Sequence, residues 1–192
     1  MKMKMTTVVA AVAALAMVVL VVGQAVEDPC FVPTMDGFEV PPYMGKWYTQ
    51  GNARLARISF ERNLECEHAV YTLKDVVLVN NTGRVGCPDA NCPVKEADGF
   101  AKQTDPTERP GALEVTFSGD FTGVPNYFVV DTDYTSYTVV GGTCRTFLWI
   151  LGRTNMMDDT TYDYCVEQAV LAGFDLKAIG FERKNNTNCV DY

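Results

Sequence analysis

The stretch GKWYTQG, residues 45–51, decides how the rest of the chain is interpreted. The residues after its first glycine suit a β-strand, and a glycine allows the chain to turn tightly before it enters one. The triplet Gly45-Lys46-Trp47 is too common to indicate a fold by itself. Its meaning depends on the motifs that follow at later positions.

The first residues have the pattern of a secretory signal peptide. Lys2 and Lys4 precede an uninterrupted apolar run, Val8 to Val22, and small residues then lead to Ala25. We therefore predict cleavage after Ala25, a signal peptide over residues 1–25 and a secreted, extracellular protein. The run is shorter than the roughly 20 residues of a transmembrane helix, so no membrane span is expected. The predicted cleavage site has no cysteine, so a bacterial lipoprotein anchor is not expected.

The remaining chain is acidic and long enough for one domain. Loss of the two signal lysines leaves 14 Lys and Arg against 24 Asp and Glu. This charge repels phosphate backbones, so nucleic acid is not an expected partner. Residues 26–44, rich in proline and acidic side chains, are predicted to form an extended N-terminal arm, and residues 45–192 a single domain.

Seven cysteines lie after the predicted signal peptide. In a secreted chain they predict disulfide bonds, and one thiol must stay free or join another molecule, which leaves a homo-oligomer or a disulfide-linked partner open. The spacing lacks the paired clusters of a zinc site, so neither a metal nor a cofactor is expected. Two sequons predict glycosylation at Asn80 and Asn185.

The pattern of short β-rich runs separated by turn residues predicts an all-β fold. We expect eight strands, near 46–53, 65–74, 76–82, 93–103, 111–118, 125–132, 135–141 and 145–152. Such a sequential antiparallel meander hides its edges by closing on itself. Asp158 then suits a helix N-cap and Gly173 a helix end, which predicts one helix over 159–172, and a short strand is expected near 177–183.

Alternation within the strands predicts which side chains face the interior. It directs Ala69, Tyr71, Val79, Asn81, Val115 and Phe117 inward. It also places Glu65 and Glu67 inward at a wetted, open end. Glu114 and the single histidine, His68, are expected on the outer surface, and His68 is not expected to act as a catalytic base.

Three separated motifs together resemble the lipocalin family. Gly45-Lys46-Trp47 opens the first strand, Thr132-Asp133-Tyr134 lies at the turn after the sixth, and Arg153 follows the eighth. The resemblance extends through YMGKWY, VYTLKD, VTFSGDF, NYFVVDTDYTSY, FLWILGRT and GFDLKAIGF, and covers nearly all of the chain after the signal. Within the family it is closest to the group of apolipoprotein D and the bacterial lipocalins, and more distant from the crustacyanins.

The resemblance implies an eight-stranded up-and-down calyx, closed at one end, with one C-terminal helix outside. Trp47 would plug the closed end against the guanidinium of Arg153, while Thr132 and Asp133 would bond the backbone of the neighbouring turn. It also implies the disulfide pairs Cys66–Cys189 and Cys30–Cys144, with Cys144 offset by a bulge. A pair of Cys144 with Cys165 remains a rival, and Cys87 with Cys92 could close a local loop.

These observations lead to the hypothesis of a secreted carrier for a small hydrophobic ligand, such as a lipid or a sterol-, retinoid- or carotenoid-like molecule. The resemblance adds Tyr127, Val129, Val140, Phe147 and Trp149 to the inward set, and Tyr71, Tyr127 or Asn81 would orient the ligand. An enzyme on the same barrel, acting on a lipid or carotenoid, is the alternative, and it would need an inward nucleophile. A pigment-binding complex of crustacyanin type is a further alternative, and it would expose large apolar patches.

Overall fold

The structure is a computed structural model that describes residues 28 and 30–189, so the predicted signal peptide lies outside the described residues. Eight antiparallel strands form a closed barrel because the first strand pairs with both the second and the eighth. The strands are β1 Gly45–Asn52, β2 Leu64–Leu73, β3 Val77–Val85, β4 Val94–Asp105, β5 Arg109–Thr116, β6 Tyr127–Thr132, β7 Tyr137–Gly142 and β8 Leu148–Gly152. The predicted up-and-down barrel is confirmed.

Three strands, β6, β7 and β8, begin two or three residues later than the pattern predicts. A 3₁₀ turn, Thr143–Arg145, precedes β8, and side chains explain the other two delays. Before β6, the amide of Asn126 bonds both backbone groups of Val115, at 2.8 and 2.9 Å, and so replaces strand pairing there. Before β7, Asp133 Oδ1 accepts hydrogen bonds from the backbone N–H groups of Thr135, Ser136 and Tyr137. These turns satisfy the backbone locally, so the strands start only after them.

The closed end of the barrel is held by Trp47 and Arg153. The indole of Trp47 is fully buried, and the guanidinium carbon of Arg153 lies 3.6 Å from its ring centroid. Arg153 also donates hydrogen bonds to the carbonyls of Lys46, Tyr134, Pro42 and Tyr43. Gly45 has a φ of +97°, and a Cβ there would lie 3.1 Å from Arg153 Nη1, so glycine fits this position.

The sequence predicts an extended arm before β1, but part of this segment is helical. Val40–Tyr43 forms a short helix, α1, with proline in its first turn. Its last residue, Tyr43, is buried, and its carbonyl accepts a 2.9 Å bond from the indole N–H of Trp47. The helix therefore covers the closed end of the barrel.

Two further helices accompany the strands. A short helix that the sequence pattern did not reveal, α2 Arg54–Ile58, lies in the link from β1 to β2. The predicted C-terminal helix is α3, Asp159–Leu171, and the carboxylate of Asp158 caps it by accepting from Thr161 N at 3.0 Å. Its apolar face, with Tyr162, Cys165 and Ala169, packs outside the barrel against β6, β7 and β8.

The final strand is shorter than the predicted 177–183. Asp175 Oδ1 accepts from Ala178 N, and helical-type backbone bonds run through residues 175–181, so only Glu182–Arg183 forms β9. This strand pairs with Gly51 and Asn52 of β1, beyond the point where β1 leaves β2. The tail thus fills the gap that opens between β1 and β2.

Three disulfides join Cys30 to Cys144, Cys66 to Cys189 and Cys87 to Cys92. Cys144 lies in a 3₁₀ turn, Thr143–Arg145, with a φ of +54°, so the expected bulge is a turn instead. Cys165 is the free thiol and is fully buried in α3. Burial raises the pKa of Cys165 to about 12. A disulfide to another molecule through this residue would require it to leave the core.

Candidate functional site

The interior of the barrel holds a cavity of about 610 Å³, which is within the usual range for small-ligand sites. Its lining is mainly apolar and aromatic. Nine of the eleven side chains predicted to face a ligand line it, namely Ala69, Tyr71, Val79, Asn81, Val115, Phe117, Tyr127, Phe147 and Trp149. The structure therefore brings around one space the six side chains predicted from alternation and three of the five added by the resemblance.

Two predicted residues, Val129 and Val140, do not line the cavity. Both side chains are 0% exposed and pack in the cluster that contains Trp47 and Leu113. They face inward, as the resemblance implies, but neighbouring side chains fill the space beside them. Two others, Phe117 and Asn81, line the cavity but are exposed, and the exposed fraction of Phe117 is 54%. They therefore lie at the solvent-facing margin of the cavity.

The deep part of the cavity carries a cluster of tyrosine hydroxyls. The hydroxyl of Tyr127 lies 2.7 Å from that of Tyr43 and 3.2 Å from that of Tyr71. The hydroxyl of Tyr43 also lies 3.3 Å from Thr138 Oγ1. Burial raises the pKa of Tyr71 to about 12, and the pKa of Tyr127 well above its ordinary value. These phenols are neutral and bonded to one another.

An aromatic wall stands near the open end. The rings of Phe147 and Trp149 are stacked, with centroids 5.6 Å apart and planes 4° apart. Phe60, from the link between β1 and β2, contacts both rings and also lines the cavity. The indole N–H of Trp149 donates to Glu61 Oε1 at 2.9 Å, which fixes the ring against the cavity. Phe60 and Glu61 were not predicted, because an irregular link has no periodicity that indicates which side chains turn inward.

The two glutamates at the start of β2 have different environments, although we predicted a wetted position for both. Glu65 is exposed, whereas Glu67 lines the cavity and is only 6% exposed. The pairing of β2 with β3 shifts between Glu65 and His68, and Cys66 has a φ of +54° at this irregularity. Since such an irregularity interrupts simple alternation, the pattern could not separate the two carboxylates.

Glu67 meets a lysine from the C-terminal tail. Lys184 donates its backbone N–H to Gln50 O at 2.8 Å, and its ammonium donates to Leu64 O at 3.1 Å. The same ammonium lies 3.0 Å from Glu67 Oε2. Burial raises the pKa of Glu67 to about 8, against the opposing influence of Lys184. A titratable group with this shift at a cavity wall is a marker of a functional site.

Two residues that we predicted on the outer surface are buried. His68 is 7% exposed, with its ring centroid 5.9 Å from that of Tyr48. Glu114 is 3% exposed because the loop after β5 folds over it. Its carboxylate accepts bonds from Thr122 N, Thr122 Oγ1 and Gly123 N at 2.5, 2.8 and 2.8 Å, and these bonds lower its pKa. Glu114 therefore organises a loop at the open end.

Within residues 28 and 30–189, no group of His, Cys, Asp and Glu side chains could hold a metal ion. None of the helices in that same part combines the length and the apolar composition needed to cross a bilayer. Of the sequon asparagines, Asn80 is half-buried and bonded to Asp98 at 2.9 Å, while Asn185 is exposed. Glycosylation at both remains a prediction.

Comparison with known proteins agrees with this architecture. The profile of a family described as "Lipocalin-like domain" matches residues 38–184. The chain is 33% identical to the outer membrane lipoprotein Blc of Escherichia coli (strain K12) over 150 residues, which is 77% of this chain and 80% of that protein. It is 29% identical to apolipoprotein D of Mus musculus over 168 residues, 83% of each chain.

A solved structure supports the fold at lower identity. The crystal structure of lobster apocrustacyanin A1 superposes with a TM-score of 0.56 at 15% identity, covering 74% of this chain and 77% of that one. Such a likeness bears on the fold alone. The family profile, the relatives and the barrel with its Trp47–Arg153 plug lead to one conclusion: this chain belongs to the lipocalin family.

Proposed function

We propose that this protein is secreted and carries a small hydrophobic ligand in its barrel, of lipid, sterol-, retinoid- or carotenoid-like type. The observation that carries the proposal is the cavity of about 610 Å³, with its mainly apolar and aromatic lining. Each Å² of apolar ligand surface removed from water contributes about 25 cal/mol, before the costs of association. Burial of an elongated apolar molecule in this space is therefore a sufficient source of affinity.

Secretion is supported by the first residues and by the disulfides. A signal peptide over residues 1–25 would direct the chain to an oxidising compartment. Three disulfides are characteristic of such a compartment, since cytosolic thiols are kept reduced. We propose a soluble extracellular carrier on these grounds.

A carrier accounts for the cavity better than an enzyme does. Cys66, which precedes the cavity-lining Glu67 in β2, is bonded to Cys189 and has no free thiol to act as a nucleophile. The free thiol, on Cys165, lies on the helix outside the barrel, where burial raises its pKa. The tyrosine hydroxyls inside are neutral and paired with one another. The proposed role of this interior is to bind.

The test is a fluorescence titration with all-trans-retinol, a neutral polyene. Since Trp149 lines the cavity and Trp47 does not, bound retinol should quench mainly Trp149, and Trp149→Phe should remove most of that quenching. Mass spectrometry of lipids extracted from the native protein would identify the natural ligand.

A matched pair of substitutions locates the binding face. Val115→Asp places a carboxylate at the cavity wall and should weaken retinol binding about tenfold or more, because the carboxylate must be desolvated. Leu78→Asp makes the same kind of change on the outer face, where the side chain is 37% exposed, and should leave binding unchanged. Equal losses in two folded variants, or no binding of any apolar probe, would contradict the proposal.

A further inference from the structure

The carboxylate of Glu67 is a buried polar group of the cavity with unused hydrogen-bonding capacity. Its side chain lines the cavity and is 6% exposed, yet its Oε1 accepts no hydrogen bond from the described residues. Lys184 approaches Oε2 at 3.0 Å as an ion pair, which leaves Oε1 without any partner among them. A buried polar atom without a hydrogen bond is costly, so this oxygen indicates a place for a ligand group.

Glu61 and the three deep tyrosines, which also line the cavity, are already hydrogen-bonded. Glu61 accepts at both oxygens, from Trp149 Nε1 at 2.9 Å and from Asn52 Nδ2 at 2.8 Å. At the deep end, the hydroxyls of Tyr43, Tyr71 and Tyr127 bond one another. A ligand that used these groups would first have to break existing bonds, whereas Glu67 can accept a ligand without such a loss.

The charges around Glu67 nearly cancel. Lys184 faces Glu67 from the tail. Arg57, from α2, lies near Glu61. Arg57 also donates to Asn52 O and pairs with Glu182 at 2.9 Å. The ammonium of Lys184 lies behind Glu67 and is not part of the cavity lining. A carboxylate or phosphate beside Oε1 would lie next to Glu67 and near Glu61, whereas Lys95, a cation of the cavity lining, is exposed and donates to Phe60 O at 3.0 Å.

We propose that Glu67 anchors the polar end of the ligand, and that this end is an uncharged hydrogen-bonding group such as a hydroxyl, not an anion or an amine. This inference rests on the proposed carrier function and names the class of molecule carried. A hydroxyl can donate to Oε1 and also accept a bond, so it satisfies the buried carboxyl group in either protonation state. The raised pKa of Glu67 agrees with a neutral environment at this position.

The experiment compares retinol, retinoic acid and retinylamine, which share one polyene and differ in the terminal group. At a pH above the raised pKa of Glu67 of about 8, where this carboxylate is ionised, the wild-type protein should bind retinol roughly tenfold more tightly than retinoic acid. Glu67→Gln keeps a hydrogen-bonding side chain but removes the negative charge, so retinoic acid should bind more tightly and the ratio should approach one. Glu65→Gln is the matched control on an exposed carboxylate of the same strand, and it should leave the ratio unchanged.

A second variant separates anchoring from packing. Glu67→Leu removes all hydrogen bonding at this position and should weaken retinol roughly tenfold while removing the preference over retinoic acid. The proposal is overturned if wild-type protein binds retinoic acid or retinylamine more tightly than retinol, or binds all three equally. It is also overturned if Glu67→Gln leaves the ratio unchanged. In each of these cases retinoids still bind, so the carrier function would stand, whereas absence of binding by every probe would contradict the carrier function itself.

Discussion

The two ends of the barrel differ in how completely their polar groups are paired. At the closed end, Arg153 covers the ring of Trp47 and donates to four backbone carbonyls, and the indole N–H bonds Tyr43 O. At the open end, Oε1 of the buried Glu67 has no hydrogen bond from the described residues, and Phe60 and Phe117 are about half exposed. One end is saturated with internal contacts, and the other is not.

This difference separates stability from recognition. A cluster whose hydrogen-bonding groups are all paired internally has none left for a ligand, so its residues should contribute to folding. An incompletely paired, partly apolar region can improve its interactions when a ligand enters. The motif that identifies the family therefore belongs to the closed end, while ligand specificity should depend on the open end.

The strongest test of this comparison is Trp47→Ala. Because the side chain is fully buried, we expect a loss of about 3–5 kcal/mol in the free energy of unfolding, measured by urea denaturation. The relative affinities for retinol and retinoic acid should not change. Trp149→Ala, at the half-buried open end, should have the opposite profile, with less effect on unfolding and more on binding. A thermal melt of Trp47→Ala that matches the wild type would contradict its role as a plug.

A smaller effect is expected from the disulfide that ties the tail across the gap between β1 and β2. Cys66 and Cys189 are separated by 123 residues, so replacing both with serine should cost about 2–4 kcal/mol of stability. Cys87 and Cys92 are separated by 5 residues, and the same replacement there should cost less, since the loop they close is short. Equal losses in the two double variants would mean that loop closure is not the source of the stabilisation.

The smallest effect concerns the pH dependence of stability. Burial raises the pKa of Glu67 to about 8 from 4.5, so the folded protein holds this proton more tightly than the unfolded chain does. Its contribution to stability should therefore fall as pH rises from about 4.5 to about 8, and stay level above that. Lys184, Glu61 and Glu65 face this group, and Lys184 opposes the shift.

Urea denaturation across this pH range tests the sign. Glu67→Gln should flatten the dependence, whereas Glu65→Gln should preserve most of it. If the wild type instead becomes more stable as pH rises, and Glu67→Gln removes that gain, the ion pair with Lys184 outweighs the cost of burying the carboxylate. Glu67 would then behave as a structural carboxylate.

Much of the cavity could be predicted from alternation because regular strands dictate side-chain direction locally. Ala69, Val79 and Val115 line the cavity for this reason. Prediction was wrong where a regular strand was interrupted or covered. The irregularity at Cys66 gave Glu67 an environment different from that of Glu65, and the loop after β5 buried Glu114.

The sequence by itself determined the strand order, the closure of the barrel, the capped helix and the residues of the plug, because each follows from short-range pattern or from a motif. Only the tertiary structure decided that Val129 and Val140 are packed away from the cavity, that Cys30 pairs with Cys144 and leaves Cys165 buried, and that Lys184 reaches Glu67. These outcomes depend on which distant segments meet. Lys184 and Glu67 are far apart in the chain, and they come together because the tail occupies the gap that β1 and β2 leave open.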